Sequence, residues 1–271
     1  MSALSYERSG TGPPLVLVHG LGSAHSVWRP VLSALEARYD VITVDLPGHG
    51  ESPPLPEQDD ASPGALAGVV AAFLDRLGLD RPHVAGNSLG GWVGLELAAM
   101  NRVASVTALA PAGFWLVPRK ARLGLIEVSR QLARRTSRLQ PLILSRSWGR
   151  AIGMRDYTTA ARHLDVTVAL DAARAMATAT GFEAADRGMI GTRFFRGGVT
   201  PAEIPVTIAF GDHDRILPAG SCQERRLAPA HARWVVIDNC GHVPMWDRPD
   251  ITVRLVGQTT RLAQPDPQAA G

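Results

Sequence analysis

Ser88 stands in the run Gly86-Asn87-Ser88-Leu89-Gly90, between the apolar stretch 82–85 and the helix-like stretch 92–100. A serine on a sharp strand-to-helix turn, with glycine two residues to either side, presents its hydroxyl clear of the backbone. The glycines are a steric requirement, because such a turn brings neighbouring backbone so close that a Cβ at either position would clash. The helix that follows points its first N–H groups at the same place, where they stabilise charge on an acyl oxygen. A serine hydroxyl is a poor nucleophile at neutral pH. It needs a histidine to take its proton and a carboxylate to hold that histidine's tautomer. Two later strand ends offer both: Asp214 in Gly211-Asp212-His213-Asp214 and His242 in Asp238-Asn239-Cys240-Gly241-His242. Asp212 and His213 are the rivals. Asp214 stands further out on its loop and His213 is flanked by both aspartates, so Asp214 and His242 are the expected partners of Ser88.

The elements that must position these groups alternate between strand and helix. Residues 4–9 read as a first strand, closed by a turn at 10–14. Leu15-Val16-Leu17-Val18 is a continuous apolar run, as for a strand buried on both faces of a parallel sheet. It ends in His19-Gly20-Leu21-Gly22-Ser23, a glycine-rich loop able to turn a second N–H toward the nucleophile; Leu21 is the expected donor, with Gly22 next to it. A helix over 27–37 leads to a strand at 41–44. In the tight loop 45–52, Asp45 and His49 are expected to fix the turn rather than to react. A loop at 53–63, a helix at 64–77, the Ser88 turn with its helix, and a strand at 103–111 follow.

The alternation then stops and resumes only at 206–210, so roughly 90 residues stand where a short connection is usual. Helical patterns over 123–139, 158–173 and 175–182 make this a helical insertion. At the carboxyl edge of a parallel sheet it would lie over the ligand crevice, as a lid. Beyond it come a helix at 219–227, a last strand at 233–237, a helix from 248 to 262 and a frayed tail at 264–271.

Composition fits a globular protein: 271 residues, 45% hydrophobic and 20% charged. No apolar run approaches the roughly 18 residues of a membrane span. The first residues lack the basic and apolar stretches of a secretion signal, which makes the cytoplasm the expected location. Cys222 and Cys240 are too few for a disulfide framework, and no His or Cys pair has zinc-ligand spacing, so neither metal nor cofactor is expected. The net charge of +3 is unevenly spread: residues 113–200 hold 14 Arg and Lys120 against 6 acids. Arg130, Arg134, Arg135 and Arg138 read as a solvated face or, alternatively, as a basic stripe for acidic lipid or anionic substrates.

With these residues in place the chain resembles the α/β-hydrolase superfamily. His19-Gly20, the run 45–52, Gly86-Asn87-Ser88-Leu89-Gly90-Gly91, Gly211-Asp212-His213-Asp214 and Gly241-His242-Val243-Pro244 match its landmarks in order. The resemblance implies a mostly parallel central sheet of about seven strands flanked by helices. The core would be 1–112 and 201–271, with a helical lid at 113–200. It also implies that the N–H groups of Leu21 and Leu89 form the oxyanion hole. A serine at position 88 sets the chain apart from the dehalogenase and epoxide hydrolase branches, which use aspartate there.

The leading expectation is a serine hydrolase acting on a small or medium carboxylic ester through an acyl-enzyme. Asn87 is similar to the residue before the nucleophile in enzymes that hydrolyse a carbon-carbon bond of ring-cleavage dienoic acids. Arg193 would then hold the substrate carboxylate, although those relatives place Trp rather than Val243 after the histidine. Lactones and amides are further acyl substrates, and a ligand receptor with little turnover is the reading from another class. Gly22, Trp115, Arg193 and Val243 are the candidate substrate contacts, although Phe114, Trp115 and Trp148 together read more readily as packing within the lid. The partner is a small molecule rather than nucleic acid.

Overall fold

The computed structural model describes residues 4–117 and 124–263. The start of the helix expected from 123, Lys120 and the tail at 264–271 lie outside them. Seven strands form one sheet in the order β1-β3-β2-β4-β5-β6-β7. They are β1 (Tyr6–Ser9), β2 (Pro14–Val18), β3 (Asp40–Val44), β4 (His83–Asn87), β5 (Ser105–Leu109), β6 (Val206–Gly211) and β7 (Arg233–Ile237). Only β1 runs antiparallel to its neighbour; every other pair is parallel. The order reverses at β2, so β2 and β4 lie side by side and their carboxyl ends flank a crevice.

Period-two alternation divides the core into two layers. Leu15 and Leu17 of β2 face one side, with Val31 and Leu35 of α1 (Arg29–Glu36) and Leu255 and Val256 of α11 (Pro249–Leu262). Val16 and Val18 face the other, with Val70 and Leu74 of α2 (Pro63–Arg76) and Val93 and Leu97 of α3 (Leu89–Ala99). Buried from Leu89 to Ala98, α3 shows no single hydrophobic stripe, and Glu96 is its one charged residue. Ser62 caps α2 by accepting from Ala65 N–H at 3.3 Å, and Pro63 occupies its first turn.

Between β5 and β6 the described residues form five α-helices: α4 (Gly124–Thr136), α5 (Gln140–Leu144), α6 (Ser147–Gly153), α7 (Val166–Thr178) and α8 (Phe182–Met189). The boundaries differ from those expected. Asp165 starts α7 by accepting from the N–H groups of Thr167 and Val168, so the helix begins eight residues after 158 and runs past 173. The break at 179–181 holds Gly181 against Gly48, whose carbonyl accepts its N–H at 2.8 Å. The helix expected at 219–227 is one turn, α9 (Ala219–Cys222), and a separate 3-10 turn at Arg225–Leu227; Glu224 N–H between them donates to the Phe114 carbonyl. A short α10 (Pro244–Asp247) precedes α11. Among the described residues no helix is long and apolar enough to cross a membrane.

Candidate functional site

The turn at the end of β4 sets the site. Ser88 has φ 55° and ψ −115°, a region that costs a non-glycine residue roughly 1–3 kcal/mol and persists only where the surroundings enforce it. They do so here. Ser88 N–H donates to the Leu109 carbonyl at 2.9 Å, and its own carbonyl accepts from Trp92 and Ala112. A Cβ on Gly86 would collide with the Gly90 carbonyl, and one on Gly90 with the carbonyls of Val18 and His19. The two glycines therefore let α3 pack directly against the ends of β2 and β4.

Asp214 and His242 arrive from the ends of β6 and β7. His242 Nδ1 lies 2.9 Å from Asp214 Oδ2, with both side chains buried. The other carboxylate oxygen, Oδ1, accepts the N–H groups of Ile216 at 2.9 Å and Leu217 at 2.8 Å. Being an acceptor on both oxygens, Asp214 places the imidazole proton on Nδ1 and leaves the Nε2 lone pair free. Asp212, the rival acid, is committed elsewhere. It accepts from Cys240 N–H and pairs with the exposed His213. Burial opposes its ionisation, but these hydrogen bonds prevail and hold its carboxyl down at about 2.

Ser88 and His242 line one cavity of about 420 Å³, together with Leu21, Gly22, Val243 and Asn87. No hydrogen bond joins the Ser88 hydroxyl to His242 Nε2; both residues line the cavity. Its walls are mainly apolar, including Ile126 and Leu132 of α4, Ile143 and Leu144 of α5, and Met176 of α7. The strand ends thus form the floor and the insertion the roof.

The loop after β2 is held by a neutral imidazole. His19 Nε2 accepts Leu46 N–H at 3.0 Å, so its proton sits on Nδ1 and is donated to the Gly20 carbonyl at 2.8 Å. Complete burial pushes the His19 pKa down and keeps the ring uncharged. Because the peptide is trans, pinning the Gly20 carbonyl toward His19 turns the Leu21 N–H the opposite way. That N–H, and the N–H of Leu89 next to Ser88, have no hydrogen-bond partner among the described residues. Two donors beside one hydroxyl can receive developing negative charge.

Asn87 has a structural task that its place before Ser88 did not reveal. Its Nδ2 donates to the carbonyls of Leu109 and His242, each at 3.1 Å, tying the ends of β4 and β5 to the histidine loop. Asp247 anchors that loop from below. Its carboxylate accepts the N–H groups of Gly241 at 2.7 Å, Thr159 at 3.1 Å and Ala160 at 3.2 Å, besides the Thr158 hydroxyl. The Tyr157 carbonyl accepts Val243 N–H at 3.1 Å. The histidine loop and the stretch 157–160 of the insertion are therefore one hydrogen-bonded body.

Other expected positions differ. Trp115 is buried away from the cavity, edge-on to Trp92, with its indole N–H on the Thr192 carbonyl at 2.6 Å. Arg193 donates to the Leu116 carbonyl and does not line the cavity either. Neither side chain reaches the cavity, which the chain order around 113–200 alone could not reveal. Trp148, expected to pack inside, is 57% exposed at the cavity wall. Arg130 does not belong to a solvated stripe. It is buried over the Phe182 ring, bound to Glu183 and to the Ala179 carbonyl. Asp45 does fix its turn, accepting from the N–H groups of His25 and Glu51 and from the His25 ring. Among the described residues no three His, Cys, Asp or Glu side chains cluster as a metal site.

The fold has counterparts in known proteins. The family model for the alpha/beta hydrolase fold matches residues 13–249. A protein of Mycobacterium tuberculosis without an assigned function is 30% identical over 98% of this chain and 81% of its own length. The pimeloyl-[acyl-carrier protein] methyl ester esterase of Aeromonas hydrophila is 29% identical over 94% of this chain and 98% of that protein. The dihydrolipoyllysine-residue acetyltransferase component of the acetoin cleaving system of Cupriavidus necator is 41% identical, but over 40% of this chain and 29% of that protein. The chain thus spans less than a third of that longer relative. Among solved structures, the enol-lactonase of Burkholderia xenovorans superposes with TM-score 0.70 at 23% identity, covering 95% of this chain and 96% of that one. Matched over residues 13–249, and along most of the length of the Mycobacterium and Aeromonas relatives, the chain belongs to the alpha/beta hydrolase fold family.

Proposed function

We propose that this enzyme hydrolyses a carboxylic ester through an acyl-enzyme on Ser88, beneath residues 113–200 acting as a lid. The observation that carries the reading is the buried 2.9 Å pair of Asp214 and His242, which leaves a basic Nε2 facing the cavity that also holds Ser88. When an ester binds, Ser88 Oγ attacks the carbonyl carbon while His242 Nε2 takes the hydroxyl proton. The carbonyl oxygen becomes an oxyanion between the N–H groups of Leu21 and Leu89. Collapse expels the alcohol, which receives the proton from His242. Water then attacks the acyl group by the same route, releasing the acid and restoring the Ser88 hydroxyl.

The cavity supports an apolar acyl group of small to medium size. Its volume falls within the range of roughly 300–1,000 Å³ common for ligand pockets, and its lining is mainly apolar. Similarity to a methyl ester esterase over nearly the whole chain agrees with this. The carbon-carbon branch is less well supported, because Arg193, its candidate carboxylate holder, lies outside the cavity. Asn87 is accounted for by its bonds to Leu109 and His242 instead.

The test uses p-nitrophenyl esters of graded chain length and a fluorophosphonate probe. Ser88→Ala should abolish both turnover and labelling while leaving the folded state intact by circular dichroism. Labelling that persists in the variant would remove Ser88 from the chemistry. A dienoic acid cleaved faster than every ester would move the enzyme to the carbon-carbon branch.

A further inference from the structure

Exposed apolar and basic side chains crowd residues 124–153, the stretch that also supplies four side chains at the mouth of the cavity. Thirteen large apolar side chains are exposed among the described residues, and six of them, Val128, Leu132, Leu139, Leu142, Trp148 and Ile152, fall within residues 124–153. Val128, Leu132, Trp148 and Ile152 also line the cavity. A side chain that lines a cavity while 52–63% exposed stands at its opening. Exposed aliphatic and aromatic side chains gathered at one place mark a contact surface, whereas the same residues scattered singly would not.

The charge of this face is one-sided. Residues 124–153 carry six arginines against Glu127 as the single acid. Arg130 is engaged by Glu183, and Arg150 donates to the carbonyls of Leu144, Ser145 and Arg162. Arg134, Arg135, Arg138 and Arg146 are exposed and have no acidic partner among the described residues. On α4, Val128, Leu132 and Arg135 follow at spacings of four and three and so share one stripe, apolar in its first turns and cationic in its last.

We propose that this face docks the enzyme on an anionic lipid surface. The six apolar side chains enter the interfacial region, the arginines meet the headgroup phosphates, and the mouth of the Ser88 cavity opens onto the membrane. The occupant follows from the combination of features. A second copy of this chain meeting it by two-fold symmetry would set the four arginines against their own counterparts. A nucleic acid would satisfy the arginines and leave the protruding aliphatic side chains in water. An anionic bilayer satisfies both. The contact is peripheral, and it does not depend on which acyl bond the enzyme cleaves.

The full-length enzyme is mixed with vesicles of phosphatidylcholine alone or with phosphatidylglycerol, and binding is read by flotation and tryptophan emission. Flotation with the phosphatidylglycerol vesicles is expected, weakening as salt rises. A blue shift should accompany it and be absent in Trp148→Phe. The triple variant Arg134→Gln, Arg135→Gln, Arg138→Gln should lower the partition coefficient by about 100-fold, at about fivefold per arginine. Leu139→Ser with Leu142→Ser should lower it about tenfold and leave hydrolysis of a water-soluble ester unchanged, since neither residue lines the cavity. Absence of binding, equal binding to neutral vesicles, or binding indifferent to both sets of substitutions would overturn the proposal. A concentration-dependent dimer abolished by Leu142→Ser would instead make the face an interface between copies. Because binding is read without turnover, failure of the ester reading would leave this result standing.

Discussion

Acid should unfold this protein through His49. The side chain is buried, its Nδ1–H is bound to the Pro47 carbonyl at 3.0 Å, and its Nε2 has no partner. Burial, reinforced by the neighbouring His19, pushes its pKa down to about 3, whereas an unfolded chain titrates at about 6.5. Below pH 6.5 the unfolded chain therefore takes up a proton that the folded protein refuses until about pH 3. Stability from this group is intact at neutral pH and falls as pH drops through that window. Between pH 7 and pH 5 the loss integrates to about 2 kcal/mol, at about 1.4 kcal/mol for each further pH unit down. Urea titrations of the wild type and of His49→Gln at both pH values measure it. The wild type should lose about 2 kcal/mol more than the variant. Taking the difference cancels other groups, including His25, whose hydrogen bond to Asp45 raises its pKa and works in the opposite sense. Equal losses in the two proteins would mean that His49 is solvated or protonated in the native state, contrary to its burial.

Two substitutions probe the site itself. In Asp214→Asn the side-chain oxygen would stay with the N–H groups of Ile216 and Leu217, so the amide NH2 would face His242 and drive the ring proton from Nδ1 to Nε2. kcat/KM should fall by about 10⁴, the effect of the same tautomer error in serine proteases; a loss below tenfold would show that the carboxylate does not set the tautomer. Gly90→Ala drives a methyl group into the carbonyls of Val18 and His19 and should cost about 3 kcal/mol, read by urea denaturation, whereas an unchanged midpoint would mean that the turn can open.

The sheet was readable because parallel strands buried on both faces are written as runs such as Leu15-Val16-Leu17-Val18 and Val206-Thr207-Ile208-Ala209-Phe210, each followed by a loop dense in glycine and reactive residues. The adjacency of Ser88, Asp214 and His242 follows from that arrangement, since each stands at a carboxyl edge. The insertion was less legible. Its helices are short and start at caps such as Asp165 that hydrophobic spacing alone does not reveal. Arg130 looked like part of a surface stripe because its partner, Glu183, lies 53 residues further on. Trp115, Trp148 and Arg193 could not be assigned to the inner or outer wall without knowing how the insertion folds over. His19 and Asn87 stood in recognisable places, but their tasks depend on partners brought close only by the sheet: Leu46 and Gly20 for the ring, Leu109 and His242 for the amide.

Asp247 bears on how such enzymes can be recombined. Its carboxylate fastens residues 158–160 to Gly241, one position before His242, the proposed general base. A chimera cut at the two ends of the insertion, which looks like the natural seam, would import a foreign partner for that carboxylate and let the imidazole drift. Grafts joined between residues 153 and 157 on one side, keeping the native stretch 157–160, would exchange the walls that choose the substrate while preserving the clasp that aims the base.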